Sequence, residues 1–383
     1  MRNNPLLKLE NFDQSVWLDY LSRNLITSGE LKRLIEEDGL KGVTSNPAIF
    51  EKAIGGSHDY EEAIRKLAQA GHSAEEIYQA LTVEDVQRAT DLFRPLYDRL
   101  DGADGYVSLE VSPHLARDTK ATIAEARRLW AAVDRPNLFI KVPGTAEGLP
   151  AVQQLISEGI NINVTLLFGV PRYAEVAAAY LTGLETRLEQ GKSIEHVASV
   201  ASFFLSRIDV LVDSLLEEKM KNGGKKAQLA QALHGQVAIA SAKTAYQIYK
   251  TLYDSERFRR LAEHGGRPQR LLWASTSTKN PVYSDVKYVE ALIGPQTVNT
   301  MPQATLEAYR DHGHPAARLE ETLESAEDVF HKLSELGIDL DDVTQQLEDE
   351  GIEKFNQPFD KLMQTLQKER SAALSDLEVS LER

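Results

Sequence analysis

Cysteine is absent from the sequence. Its absence excludes disulfides, thiolate metal sites, iron–sulfur clusters and a cysteine nucleophile, and it fits a reducing compartment. Long apolar runs are missing too. No stretch reaches the roughly 18 residues that a transmembrane helix needs, and the opening MRNNPLLKLENFDQ holds no apolar core of signal-peptide length. These features predict a soluble, cytoplasmic protein with no membrane partner. Positive charge is in short supply, with 43 Lys and Arg against 58 Asp and Glu and a formal net charge of −15. That balance argues against nucleic acid, whose phosphates need a basic face. It leaves room for a small phosphorylated substrate, which needs only a few local cations. Low-complexity segments and convincing short repeats are also lacking.

The 383 residues are 42% apolar, enough for a large core. Length alone suits two or three domains, or one barrel of roughly 250 residues with additions. Short apolar runs predict strands at 16–20, 42–46, 106–112, 137–143, 161–167, 197–202, 270–275 and 297–301. Helical patterns fall between them, among them 119–133, 146–158, 171–190 and 225–253, with a longer helical stretch over 58–100. Strand–helix alternation implies a parallel sheet, and eight repeats favour closure into a (β/α)8 barrel over an open sheet. Residues 1–383 therefore read as one barrel domain. Approximately residues 303–383 form a helical extension packed on it, with the last residues frayed.

Strand side chains alternate faces. Phe139 and Lys141 share one face of their strand against Leu138, Ile140 and Val142. Ser108 and Glu110 oppose Val107 and Leu109, Asn163 and Thr165 oppose Ile162 and Val164, and Trp17 and Asp19 oppose Leu18. In a closed barrel the polar face is the lumen, and its C-terminal end is where such barrels do chemistry. A lysine and two carboxylates buried there need partners. One reading is a structural salt bridge from Lys141 to Glu110 or Asp19. The other is a reactive amine, because desolvation favours the neutral form that attacks a ketone or aldehyde to give a Schiff base. That chemistry cleaves carbon–carbon bonds without a cofactor. Asp19 and Glu110 are candidates to move protons, and Asn46, Asn163 and Thr165 can bond sugar hydroxyls. On these grounds a Schiff-base aldolase on a barrel leads.

The segments GVTSNPAIFEKAI (42–54), VSLEVSPHLARDT (107–119), LFIKVPGTAEGLPA (138–151), ININVTLLF (160–168), ASFFLSRIDVLVD (201–213), LLWASTSTKNP (271–281) and VNTMPQATLEA (298–308) resemble the transaldolase family, in family order. SVWLDYLSR and the helical tail resemble its longer bacterial branch. The resemblance implies an (α/β)8 barrel. It also implies transfer of dihydroxyacetone from sedoheptulose 7-phosphate to glyceraldehyde 3-phosphate, giving erythrose 4-phosphate and fructose 6-phosphate, in the non-oxidative pentose phosphate pathway. It assigns Lys141 as the Schiff-base lysine, Asp19 as the acid/base of bond cleavage, and Glu110 with Thr165 as the holders of a catalytic water. Asn46, Asn163 and Ser202 match positions that bind the dihydroxyacetone part, Phe204 matches a pocket aromatic, and Arg207 and Ser275 match phosphate-binding positions. The chain departs from the family at STSTKNP, where Lys279 stands in for an arginine, and at Trp17 beside Asp19. The partners implied are a ketose phosphate donor and an aldose phosphate acceptor. Monomer and homodimer stay open.

Other signals carry less. Asn163-Val164-Thr165 is formally a glycosylation sequon, but it lies in a predicted buried strand. Gly191-Lys192-Ser193 is like the end of a phosphate loop, yet Thr186 occupies the first glycine's place. His312 and His314 lack a third metal ligand, so no metal is expected. Two alternatives remain: a fructose 6-phosphate aldolase that releases free dihydroxyacetone, and a non-catalytic barrel that binds sugar phosphates.

Overall fold

A computed structural model describes residues 4–221, 223–322 and 324–381. Eight parallel strands, Gln14–Asp19 (β1), Gly42–Thr44 (β2), Tyr106–Glu110 (β3), Leu138–Pro143 (β4), Ile162–Leu167 (β5), Ser199–Phe204 (β6), Arg270–Ala274 (β7) and Thr297–Met301 (β8), close into a barrel in chain order. All eight expected strands are present, shifted by a few residues at their ends. The residues that face the helices are those the alternation predicts: Leu138, Ile140, Val142, Ile162 and Val164 are fully buried. Among the described residues no helix is long and apolar enough to cross a membrane.

The helical stretches divide where the backbone needs a turn. The 58–100 stretch is two helices, Glu61–Gln69 and Ala74–Arg99. The chain turns at Gly71 (φ +91°), and Ser73 and Glu76 then form a reciprocal capping box. The expected single helix over 225–253 is instead Gly224–Leu233 and Val237–Tyr253. Gly235 has φ +71° at the break, and two buried carboxylates accept the freed amides: Asp213 from Gly235 (2.7 Å) and Asp209 from Ala238 (2.8 Å). Apolar periodicity runs through this break, so the sequence alone did not mark it. After β8, Gln303–His312 packs on β1 and β8, followed by Glu324–Glu335 and the long helix Leu340–Leu381. That last helix lies against Pro47–Gly55, Glu61–Gln69, Ala74–Arg99, Ser206–Met220 and the end of β5. The expected fraying at the terminus falls on residues 382–383, outside the described residues.

The lower lumen is closed by aromatic rings. Trp17, Tyr106 and Phe139 stack together, with Tyr106 and Phe139 centroids 4.2 Å apart and Trp17 and Phe139 6.1 Å apart. The indole N–H of Trp17 donates to Asp104 (2.8 Å), which also accepts from the Ser15 hydroxyl and faces the Arg270 guanidinium at 3.4 Å. The tryptophan that departs from the family pattern is therefore a floor residue beneath the site. Its breadth constrains β2. Gly42 is in register with Trp17, and a Cβ there would lie 2.5 Å from the indole carbons.

Gly42→Ala should overpack this floor and destabilise the fold by about 1–3 kcal/mol. Calorimetry would show a lower Tm, with native circular dichroism kept at low temperature. An unchanged Tm would mean that the indole moves aside freely.

Candidate functional site

The register of three neighbouring strands sets out the centre of the site. Glu110 on β3 pairs across to Lys141 on β4, and Lys141 pairs across to Asn163 on β5. All three point into the lumen and are buried. The Lys141 Nζ lies 2.9 Å from Glu110 Oε2 and donates to the Ser45 carbonyl at 3.0 Å. Beyond this ion pair neither Glu110 oxygen has a hydrogen-bond partner, and the buried Thr165 hydroxyl has none. Asn163 is held by its neighbours: its Nδ2 donates to Ser108 Oγ (3.1 Å) and its Oδ1 accepts from Ser202 Oγ (2.7 Å).

Asp19 ends β1, in register with Thr44 on β2. The Thr44 hydroxyl donates to Asp19 Oδ1 (2.7 Å) and sits 2.7 Å from the Thr300 hydroxyl of β8. Asp19 is partly open to the cavity, yet protein surrounds it deeply enough that desolvation pushes its carboxyl above the ordinary range. Lys141, the Thr44 hydrogen bond, Arg207 and Lys279 oppose that rise. Burial also pushes the Glu110 carboxyl up, against the pull of Lys141 and with the nearby Asp19 charge adding to the rise.

A cavity of about 490 Å³ opens at the C-terminal strand ends. Asp19, Asn46, Lys141, Thr165, Ser202, Phe204, Arg207, Ser275 and Lys279 all line it. Glu110 and Asn163 do not; they stand behind Lys141 and Ser202. Asn46 is also the N-cap of Pro47–Gly55, its Oδ1 accepting from the Ile49 amide (3.0 Å). The ends of β6 and β7 are stitched together: Leu205 N–H donates to Ala274 O (3.0 Å), Ser206 N–H to Ser275 O (3.1 Å), and the two serine hydroxyls lie 2.8 Å apart. Ser275 takes the left-handed conformation (φ +54°) at this seam, a strain that a packed site can hold. The seam brings Arg207, on the first turn of Ser206–Met220, beside Ser275. Desolvation lowers the Arg207 guanidinium and the Lys279 ammonium, and the nearby charges of Arg207 and Lys52 lower Lys279 further. Lys279, exposed at the rim, donates to Ser277 Oγ (2.6 Å).

Beside Thr165 the barrel is irregular. β5 bulges between Val164 and Leu167, and Leu166 has φ +56°. This breaks the strict alternation expected over 161–167. Sequence reasoning missed Thr44, Thr300, Lys52 and Phe355, all of which line the cavity, and the Ser45 carbonyl. Alternation from Trp17's neighbour Gly42 would have found Thr44, and alternation from Val298 would have found Thr300. Phe355 lies far past the last strand and had no such signal. Elsewhere, exposed His312 pairs with Asp285 (3.0 Å). No group of three or more His, Asp or Glu fit for a metal occurs among the described residues.

Comparison with known proteins gives the chain's family. The family model described as Transaldolase/Fructose-6-phosphate aldolase matches residues 16–366. A protein named Transaldolase from Trichodesmium erythraeum is 51% identical over 372 residues, covering 96% of this chain and 98% of its own length. One named Transaldolase 2 from Nostoc punctiforme is 50% identical over 373 residues, with 96% and 98% covered. A Transaldolase from Saccharopolyspora erythraea is 47% identical over 372 residues, with 97% and 99% covered. With the match running from β1 into the last helix, the chain belongs to the transaldolase/fructose-6-phosphate aldolase family.

Proposed function

We propose that this protein is a cytoplasmic transaldolase of the non-oxidative pentose phosphate pathway. It moves a dihydroxyacetone unit from sedoheptulose 7-phosphate to glyceraldehyde 3-phosphate through a Schiff base on Lys141, and yields erythrose 4-phosphate and fructose 6-phosphate. The observation that carries this reading is a buried amine sharing one cavity with a carboxylate and two cations. The cavity, at about 490 Å³, is of a size for a sugar phosphate. The helices from 303 onward serve as an extension of the same single domain.

The chemistry follows from the contacts. Glu110, whose carboxyl burial pushes up, takes a proton from the Lys141 ammonium beside it. The neutral amine attacks the ketose carbonyl carbon, and the proton returns through Glu110 and Thr165 as water leaves and the iminium ion forms. Asp19, oriented by Thr44, takes the proton from the hydroxyl of the departing fragment. The carbon–carbon bond breaks, its electrons pass into the iminium, and an enamine remains on Lys141 as the aldose phosphate leaves. An acceptor aldehyde then enters, the enamine carbon attacks it, and Asp19 returns its proton to the new alkoxide. Water then adds to the restored iminium, the carbon–nitrogen bond breaks, and the new ketose phosphate leaves Lys141 as a free amine. Asn46, Asn163 and Ser202 hold the three-carbon unit. Arg207, Ser275 and Lys279 grip the phosphate, with lysine acting as a point charge where a planar fork is absent.

Borohydride reduction in the presence of fructose 6-phosphate should leave a reduced three-carbon adduct on Lys141, read by intact mass and peptide mapping. Lys141→Ala should give no adduct and lose on the order of 10³-fold or more in turnover. No adduct on folded wild-type protein would sink the lysine mechanism and favour the binding barrel. Free dihydroxyacetone released at turnover rate would instead mark an aldolase.

Asp19→Asn should slow cleavage on the order of 10²–10⁴-fold. The species trapped from fructose 6-phosphate should then carry the whole six-carbon chain. Asp19 is raised above its ordinary 3.8 when folded, so the native state holds this proton longer than the unfolded chain does. Wild-type stability therefore falls as pH rises from 3.8 through the native value, and the asparagine variant escapes that loss. The Tm of the variant relative to wild type should rise across that window and then level off; a relative Tm that falls there would reverse the assignment.

A further inference from the structure

The long helix Leu340–Leu381 buries one stripe along its length: Leu347, Gly351, Phe355, Phe359, Leu362 and Leu366. At one end, the Gly351 backbone comes so close to Leu166 that a Cβ there would lie 3.0 Å from the leucine Cδ2, next to the strained bulge that carries Thr165. At the other, Phe359 packs edge-on against Tyr78, with centroids 5.4 Å apart. Phe355, between them, is 4% exposed and forms part of the cavity wall.

Arg207 is the group that meets it. Its guanidinium carbon lies 5.6 Å from the centroid of Phe204 and 5.8 Å from that of Phe355. Arg207 Nη1 is buried without a hydrogen-bond partner. The neighbouring carboxylates Asp19, Glu350 and Glu110 act on it through space. An arginine has many rotamers, and one left to choose among them loses entropy when it binds an anion. Two aromatic faces within about 6 Å attract a guanidinium and fix its plane.

We infer that Phe355, carried in from the C-terminal helix, is a positioning residue for the phosphate end of the substrate: with Phe204 it holds the Arg207 guanidinium between two rings. This rests on the transaldolase reading for the identity of the substrate, while the ring–cation contact itself does not.

The test compares Phe355→Leu, which keeps apolar bulk without a ring, with Phe355→Tyr, which keeps the ring. Phe355→Leu should raise the KM for fructose 6-phosphate about 3- to 30-fold with a much smaller change in kcat, and Phe355→Tyr should restore it. Borohydride trapping by dihydroxyacetone, which carries no phosphate, should fall far less. An unchanged KM in Phe355→Leu, equal KM increases in both variants, or a parallel loss of dihydroxyacetone trapping would overturn the inference. Wild-type protein that forms no adduct with either ketose would instead defeat the transaldolase reading. Calorimetry with inorganic phosphate then still decides on Phe355: weaker binding in the leucine variant than in the tyrosine variant upholds its role, and equal binding removes it.

Discussion

An ammonium and a carboxylate held 2.9 Å apart inside a closed barrel set the terms for everything around them. Parallel register leaves no freedom in this arrangement, because Glu110, Lys141 and Asn163 are direct neighbours across β3, β4 and β5. Removing two charges from water costs several kcal/mol per ion unless geometry and further polar contacts offset it. Here the offset is partial. Lys141 gains the Ser45 carbonyl, but the Glu110 oxygens gain no hydrogen bond beyond the lysine itself. A second carboxylate, Asp19, adds like charge nearby and is itself raised by burial. The arrangement resists ionisation of both acids together. That resistance is what a site needs if its protons are to change places during a reaction.

The barrel divides its lumen between two tasks. Below, three packed rings and the Asp104 cluster fill the space under the amine. Above, short polar side chains on β1, β2, β5, β6 and β8 surround a cavity open to solvent. Aromatic packing below and polarity above meet at one level, the layer of Glu110 and Lys141. Two of the residues with left-handed backbone, Leu166 and Ser275, sit at strand ends around the mouth, and Ser275 lines the cavity.

Much of this was legible in the sequence because it depends on local alternation. A period of two places Lys141 with Phe139 and Asp19 with Trp17, and eight such strands can satisfy their edges by closing. Thr44 was equally legible by the same rule. The rest depends on long-range geometry that no local pattern records. The helix break at Gly235 rests on Asp209 and Asp213, which come from another helix to accept the amides it frees. The bulge in β5 follows from its pairing with β6, and the Ser45 carbonyl reaches Lys141 only once β2 and β4 lie in one barrel. Phe355 reads as one more apolar residue in a helical stripe until the fold lays that stripe beside Arg207.

The order in which a ribosome delivers this chain gives the last helix a particular position in time. Arg207 and Phe204 leave the exit tunnel together, and the eight strands are complete at Met301. Phe355 emerges more than fifty residues later. A nascent chain thus carries Lys141 and its barrel neighbours well before it carries the ring that completes the far wall. Enclosure of the cavity therefore waits on a segment made well after the barrel, and a chain cut between Met301 and Phe355 keeps the amine but lacks this part of the wall.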